Sequence, residues 1–234
     1  DLEKKITPKT KILALCSPHN PVGRVWSKEE LEKLANICIK HNIIIVSDEI
    51  HSDITFKKFT PLASISKEIA NQTITLNSAG KTFNIAGLNS AYAISKNQKI
   101  LDKFKKIAQK REIQSINFFG YVSTKAAYDN GALFVEELKK YLLSNIEFTK
   151  NYLKKNNSKI DFKPPEATYL LWLDFSRYNL SHNEIKNILL TKSKIALNDG
   201  VSFGNNGNGY FRLNLALSQN SLEIALSQLS KEFL

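Results

Sequence analysis

The chain has 234 residues, of which 42% are apolar, and a formal net charge of +11. This length can bury a sizeable core, either in one large domain or in one domain with a smaller companion, and we favour two. The lysines are scattered along helical stretches with no arginine-rich block, which predicts solvated helix faces rather than nucleic-acid binding.

The two cysteines, Cys16 and Cys38, lie in apolar runs and lack the spacing of metal ligands. We therefore expect reduced core thiols, no zinc site and a cytoplasmic protein. No apolar run approaches the length of about 18 residues that a membrane helix needs. No signal-peptide pattern opens the chain, so we expect no membrane partner.

The first elements form a strand, a turn and a helix. The run KILALC (11–16) predicts a strand buried on both faces. The sequence SPHNPVG follows, with Asn20 first, Pro21 second and Gly23 fourth in the pattern of a type I turn. The sequence SKEE (27–30) has the form of a capping box. Its helix places Leu31, Leu34, Ala35 and Cys38 on one face, which should pack on a sheet.

The next strands predict a mixed sheet. The run IIIVS (43–47) completes a strand–helix–strand unit, which makes its two strands parallel. The runs TITLNS (73–78) and SAYAIS (90–95) are joined by a short connection without a helical pattern, so we expect them to be antiparallel.

The second half changes character twice. From about residue 97 to 157 the pattern is helical, and the last helix is long enough to bridge two domains. After residue 166 short strands alternate with helices near 181–192 and from 219, as in a separate α+β unit. We predict an α/β fold with a mixed, mostly parallel sheet and flanking helices over residues 1–135. Residues 136–234 would form the interdomain helix and a smaller C-terminal α+β domain.

Three polar residues each follow a predicted strand by a few positions. Asn20, Asp48 and Lys81 should therefore lie near the carboxyl ends of strands, where open α/β sheets bind ligands. Lys81 is the single lysine of the loop NSAGKTFNIAGL, where desolvation could lower its pKa and make its amine nucleophilic. A carboxylate together with such a lysine is the pair that pyridoxal 5′-phosphate (PLP) requires. The alternatives, a surface lysine and a solvated turn at Asp48, weaken when the residues are taken together.

The sequences HNPVGRVW, SDEIHSD, SAGKTFNIAGL and YFRLNLA occur in this order. Together they resemble the fold-type I PLP enzymes of the class I/II aminotransferase superfamily, with the closest likeness to the MalY/PatB-type cystathionine β-lyase branch. The resemblance extends over essentially the whole chain. It implies an incomplete PLP-transferase large domain followed by the small domain.

The resemblance also implies roles for individual residues. Lys81 would carry PLP as a Schiff base, Asp48 would pair with the pyridine nitrogen, and Asn20 would hydrogen-bond the ring hydroxyl. Ser78 would hold the phosphate, and Arg212 would bind the substrate carboxylate, a role suited to its bidentate fork. The alternative for Arg212 is a strand-surface arginine.

Three departures from the aminotransferase pattern matter. His51 stands where tyrosine is usual, and it would be either a residue near the cofactor or a structural histidine. The arginine that usually comes soon after the lysine is absent from the stretch FNIAGLNS, where Asn89 stands instead. Both features favour the lyase branch. Family members also begin well upstream of KILALC, so the chain resembles the C-terminal part of the enzyme. We expect residues 1–234 alone to bind PLP weakly.

We therefore predict PLP-dependent β-elimination on cystathionine- or cysteine-like amino acids, giving a thiol, pyruvate and ammonia. Aminotransfer is the alternative, since it shares every step up to loss of the Cα proton. A non-catalytic regulatory protein that uses the same ligand pocket is a second alternative. The resemblance also implies a homodimer.

Overall fold

The computed structural model describes residues 1–113, 118–156 and 158–233. The described residues form two compact units. Unit 1 contains Asp1–His19 and Arg24–Glu136, and unit 2 contains Asn20–Gly23 and the chain from Glu137 onward. Each unit is described by itself below.

Unit 1 is built on a four-stranded sheet. Its strands are β1 (Ile12–Cys16), β2 (Ile44–Asp48), β3 (Thr73–Asn77) and β4 (Tyr92–Ile94). The strand order is β1-β2-β3-β4; the first three are parallel, and β4 pairs antiparallel with β3. This confirms the predicted mixed, mostly parallel sheet.

In the described residues, six α-helices lie between and directly after these strands in chain order. They are α1 (Lys28–Lys40), α2 (Lys67–Gln72), α3 (Ala79–Thr82), α4 (Gln98–Lys110), α5 (Phe118–Asn130) and α6 (Ala132–Lys155). The boundary between the units falls inside α6. No helix in the described ranges combines the length and the apolar character that crossing a bilayer demands.

The predicted capping box and apolar face of α1 are both present. Ser27 Oγ accepts a hydrogen bond from the Glu30 N–H at 3.2 Å, and Glu30 Oε2 accepts one from the Ser27 N–H at 3.0 Å. Leu31, Ala35 and Cys38 are buried in the core cluster that includes residues of β1 and β2. The cap starts the helix, and this face attaches it to the sheet.

Two local predictions for unit 1 are wrong. β1 is not buried on both faces: it forms an edge of the sheet, Ile12 is 59% exposed, and among its residues only Leu15 is buried. The connection between β3 and β4 is not a plain loop, because it contains the one-turn helix α3. Ser78 caps α3, and such a short helix leaves no apolar periodicity to detect.

Unit 2 carries a second, antiparallel sheet. Its elements are β5 (Leu170–Asp174), α7 (His182–Thr191), β6 (Asn198–Asp199), β7 (Tyr210–Asn214) and α8 (Gln219–Glu232). The strand order is β5-β7-β6. Phe211 and Leu213 of β7 are buried, whereas Arg212 between them is only partly buried. This alternation leaves one face of the sheet for the core and the other for a site.

Candidate functional site

Asp48 and the helix that bears Lys81 lie at the carboxyl ends of two neighbouring parallel strands of the unit 1 sheet. Asp48 is the last residue of β2, and it lies opposite Leu76 of β3. Ser78 immediately follows β3, and α3 begins at the next residue. The carboxyl ends of the two strands therefore bring the Asp48 and Lys81 segments to the same edge.

Two side-chain hydrogen bonds link these segments. Thr82 Oγ1, next to Lys81, donates to Asp53 Oδ2 at 3.0 Å. Asn77 Nδ2 at the end of β3 donates to Ser52 Oγ at 3.0 Å. Asp53 and Ser52 belong to the stretch that follows Asp48, so the position of α3 is tied to that stretch.

The carboxylate of Asp48 is exposed and only partly used within the unit. Its Oδ1 accepts a hydrogen bond from the Ile50 N–H at 3.1 Å. Over the described ranges, no donor reaches Oδ2. One carboxylate oxygen is therefore available to accept a hydrogen bond from a charged N–H group of a ligand.

Lys81 lies in the middle of α3 and is exposed. Burial therefore does not desolvate its amine, contrary to the expectation from its small, apolar surroundings. In the described part of the chain, no hydrogen bond or ion pair engages Nζ. The amine is accessible and has no competing partner there.

Aromatic side chains of α5 and α6 pack against the residue that follows α3. Phe83, the residue after α3, makes an edge-on contact with Tyr128 of α5 at a centroid distance of 5.8 Å. It also stacks with Phe134 of α6 at 5.9 Å. Gly131 allows this approach, because a Cβ there would lie 2.2 Å from the Phe83 ring. These contacts hold the helix of Lys81 against α5.

Ser78 Oγ already takes part in two hydrogen bonds. It accepts from the Gly80 N–H at 2.9 Å, which caps α3, and it donates to the Ser90 carbonyl oxygen at 2.5 Å. Thr124 Oγ1 in turn donates to Ser90 Oγ at 2.9 Å. To donate to a phosphate, Ser78 must give up its bond to Ser90. The position of Thr124 near this cap could not be predicted from its helical stretch alone.

Two ionisable side chains near Asp48 are buried. His51 is 3% exposed, and Glu49 accepts hydrogen bonds from Ser47 Oγ at 2.9 Å and from the Leu62 N–H at 3.1 Å. Burial raises the pKa of the Glu49 carboxyl above its usual value, although these two hydrogen bonds oppose the shift. Glu49 therefore has a structural setting, whereas Asp48 faces solvent.

Arg212 and Asn20 are directly bonded in unit 2. Arg212 Nη1 donates to Asn20 Oδ1 at 2.8 Å, and Nη2 donates to Asn198 Oδ1 at 3.0 Å. The Nε atom is buried, and no acceptor among the described residues reaches it. Burial also lowers the pKa of the Arg212 guanidinium, which still remains charged. Sequence reasoning identified Arg212 and Asn20 separately but did not predict their bond.

The turn that carries Asn20 is anchored within unit 2. The Gly23 carbonyl oxygen accepts from the Glu166 N–H at 2.8 Å and from the Ala167 N–H at 3.0 Å. Gly23 has a φ of +68°, and a Cβ there would lie 2.4 Å from Pro165 Cβ. Glycine is required at this position both for its conformation and for this close approach.

The six predicted site residues thus fall into two groups. Unit 1 brings together Asp48, His51, Ser78 and Lys81, and unit 2 brings together Asn20 and Arg212. The sequence missed Asn198, which is the second acceptor for Arg212, and Phe203, whose ring lies 4.8 Å from the guanidinium carbon. The only signal for these two was their place in the loop before β7.

The chemistry of these side chains fits PLP. The accessible amine of Lys81 suits covalent attachment of an aldehyde, and Asp48 Oδ2 suits a protonated ring nitrogen. The unpartnered, buried Nε of Arg212 suits an anion. Ser78 fits a phosphate only after its bond to Ser90 is exchanged.

The mostly parallel sheet of unit 1, with the amine of Lys81 and the carboxylate of Asp48 near the carboxyl ends of its strands, defines an α/β protein. The chain belongs to the aminotransferase class I and II family, whose model matches residues 1–229. This establishes the family that the sequence resembled.

Individual relatives are similar over nearly the whole chain. The cystathionine β-lyase PatB of Bacillus subtilis is 38% identical over 98% of this chain and 60% of its own length. A PLP-bound protein of Clostridium difficile 630, described as an aminotransferase candidate, is 48% identical with a TM-score of 0.95. That match covers 98% of this chain and 59% of the other. PLP-containing cystalysin of Treponema denticola is 33% identical with a TM-score of 0.90, covering 95% and 57%. The chain thus spans about 60% of the length of these relatives.

Proposed function

We propose that the protein binds PLP and catalyses β-elimination on cystathionine- or cysteine-like amino acids. The reaction breaks the Cβ–S bond, consumes one water molecule and releases a thiol, pyruvate and ammonia. The observation that carries the proposal is the accessible, unengaged amine of Lys81 at the same sheet edge as the Asp48 carboxylate. The lyases among the similar proteins support it.

Lys81 and Asp48 have complementary tasks in this proposal. Lys81 would hold the cofactor through Nζ, and Asp48 Oδ2 would accept a hydrogen bond from the protonated ring nitrogen, which would keep that nitrogen charged. When bound, PLP supplies an electron sink for the electron pair left behind by loss of the Cα proton. His51 is buried and lies three positions after Asp48, and we assign it to positioning the cofactor ring near Asp48.

Lys81 also moves the proton. Its amine, when neutral, would take the Cα proton of the amino acid at Nζ. The hydrogen bond from Thr82 to Asp53 and the ring contacts of Phe83 with α5 and α6 hold α3 in place during this proton transfer. Ser78 donates to the phosphate after giving up Ser90 O. The sulfur then leaves with the electron pair of the Cβ–S bond.

Arg212 is assigned to the substrate carboxylate, and its partner Asn20 is assigned to the cofactor. Arg212 binds the substrate carboxylate through its remaining N–H groups, including the unpartnered Nε. Because Asn20 Oδ1 accepts from Arg212, its amide NH2 group is the part that can donate to the ring hydroxyl oxygen. One side chain thereby contacts both the carboxylate-binding arginine and the cofactor.

Aminotransfer is the second candidate, because the Clostridium difficile protein at 48% identity is described as an aminotransferase candidate. Both reactions need Lys81, Asp48, Asn20 and Arg212 in the roles given above. They differ after the Cα proton is lost: in a lyase the sulfur leaves, whereas in an aminotransferase the proton is returned to the cofactor.

The proposal is tested on the full-length protein loaded with PLP. Its absorbance spectrum should show a bound, lysine-attached cofactor that changes on addition of L-cystathionine, and pyruvate should accumulate. A spectrum that does not respond to L-cystathionine, with no pyruvate formed, contradicts the proposed activity.

We further propose a homodimer in the cytoplasm. Large apolar side chains are exposed at the start of α5 and α6, among them Phe118, Phe119 and Leu133, and a second copy would cover such a patch. The thiols of Cys16 and Cys38, neither of which is in a disulfide in the described part of the chain, suit a reducing compartment. Light scattering after size-exclusion chromatography should give twice the monomer mass.

A further inference from the structure

Arg212 is held by neutral side chains rather than by an acid. Asn20 and Asn198 each accept one hydrogen bond from the guanidinium group, at 2.8 and 3.0 Å. No aspartate or glutamate forms an ion pair with Arg212 anywhere in the part of the chain that the structure describes. An amide oxygen fixes the orientation of the fork but does not neutralise it, so the positive charge stays available to a ligand carboxylate.

Asn198 is placed by the sheet. The two-residue strand β6 pairs with β7 so that Asn198 lies directly opposite Arg212 and Asp199 lies opposite Phe211. Directly opposite residues of an antiparallel pair share one face, so the side chains of Asn198 and Arg212 project from the same side. The hydrogen bond from Nη2 follows from this register.

Asp199 fixes the short strand that carries Asn198. Its Oδ2 accepts from Lys186 Nζ at 2.8 Å, and its Oδ1 accepts from the Val201 N–H at 3.0 Å. His182 Nε2 lies 2.8 Å from the same Oδ1. These bonds connect helix α7 to the residue beside Asn198.

The tautomer of His182 follows from its second nitrogen. Nδ1 accepts from the Gly209 N–H at 3.1 Å, so in the neutral ring the proton is on Nε2 and is donated to Asp199. The ring also stacks on Phe211 with centroids 4.7 Å apart. His182 is thus fixed on both sides, and it holds Asp199 in turn.

Phe203 covers the guanidinium without neutralising it. Its ring lies 4.8 Å from Arg212 Cζ, and its edge contacts Trp172 at a centroid distance of 5.5 Å. The attraction between a cation and an aromatic face orients the charge but adds no negative group. Every described contact of the Arg212 head is therefore neutral.

We propose that Asn198 is a positioning residue that orients Arg212 without neutralising its charge, so that the site selects amino acids with a free α-carboxylate. This inference rests on the proposed role of Arg212 in the site. It predicts that the neutrality of residue 198 matters more than its hydrogen bond. A carboxylate at this position would occupy Nη2 and compete with the carboxylate of the ligand.

The test compares two ligands that differ only at the carboxylate. S-methyl-L-cysteine and S-methyl-L-cysteine amide are titrated into PLP-loaded, full-length protein, and binding is measured by calorimetry, with kcat and KM determined in parallel. Asn198→Asp should weaken binding of the acid by on the order of 100-fold and leave the amide within about threefold. Asn198→Ala should weaken the acid by roughly tenfold, and kcat should change little in either variant.

Asn206→Asp is the matched control, because it adds the same charge to the same exposed loop without a bond to Arg212. It should bind both ligands as the unaltered protein does. If Asn198→Asp behaves like this control while Arg212→Ala loses preference for the acid, the role of Asn198 is refuted and that of Arg212 stands. If Arg212→Ala keeps the preference for the acid, both the role of Arg212 and the inference built on it are refuted.

Discussion

Arg212 Nη1 donates to Asn20 Oδ1 over 2.8 Å, although 192 positions separate the two residues in sequence. This bond joins the turn after the first strand to the central strand of the unit 2 sheet. It makes the residue proposed to contact the cofactor ring a direct partner of the residue proposed to bind the substrate.

A double-mutant cycle on this pair should show coupling. Asn20→Ala and Arg212→Ala each remove the same hydrogen bond, so their effects on the free energy of unfolding should fall short of additivity by about 1–3 kcal/mol. Urea unfolding of the four proteins measures this. Arg212→Ala combined with Asn206→Ala, which shares no bond with it, should be additive. Additivity for the Asn20 pair would mean that the bond contributes nothing to stability.

Lys81→Ala should remove covalent cofactor attachment. After reduction with borohydride, mass spectrometry of peptides from the unaltered protein should find the PLP adduct on Lys81. The variant should carry no adduct on any peptide, because Lys81 is the lysine beside Asp48 at the strand ends. Lys58→Ala, which removes an exposed lysine from the same unit, should leave the adduct unchanged. An adduct that persists in Lys81→Ala would locate the attachment elsewhere.

Asp48→Asn should retain the cofactor and lose most of its turnover. The amide keeps the size of the side chain but removes the charge that holds the ring nitrogen protonated, so kcat should fall by about 1,000-fold or more. Equilibrium dialysis of PLP and pyruvate release measure the two effects. Asp102→Asn, at an exposed position on α4, is the control. A kcat within about tenfold of the unaltered protein would exclude this role.

Glu49 should make the stability of the fold depend on pH. Because burial raises the pKa of Glu49 in the folded state, the folded protein binds a proton at this carboxyl more tightly than the unfolded chain does. Its contribution is therefore fully present below the unfolded pKa, about 4.3, and is lost as pH rises through the folded pKa. Relative to Glu49→Gln, the unaltered protein should gain stability as pH is lowered from about 8 to about 5.

Urea unfolding of both proteins across this range isolates the effect, because the other titrating groups are common to both. The glutamine oxygen can still accept from Ser47 and Leu62, so the hydrogen bonds are matched. A stability difference that stays constant with pH would show that Glu49 titrates normally.

The sequence identified elements whose pattern is local. The capping box at Ser27, the apolar face of α1 and the parallel pairing of β1 with β2 are all readable from a short window, and all are present. Tertiary features were harder. The exposure of Ile12 follows from the edge position of β1, which an apolar run does not reveal.

For the site, the sequence located side chains but not their partners. Lys81 was placed correctly after β3, yet its helix and its exposure were missed, because a single capped turn has no periodicity. Asn198 escaped notice because its role depends on strand register across β6 and β7. Such long-range pairings are specified by the fold as a whole.

The most direct test of the central claim is to follow the products formed from L-cystathionine by the PLP-loaded, full-length protein, with and without 2-oxoglutarate. A β-elimination at Lys81 predicts equal amounts of pyruvate, ammonia and homocysteine at a rate that does not depend on 2-oxoglutarate. Turnover that requires 2-oxoglutarate and yields glutamate, with no pyruvate or free thiol, would contradict the account.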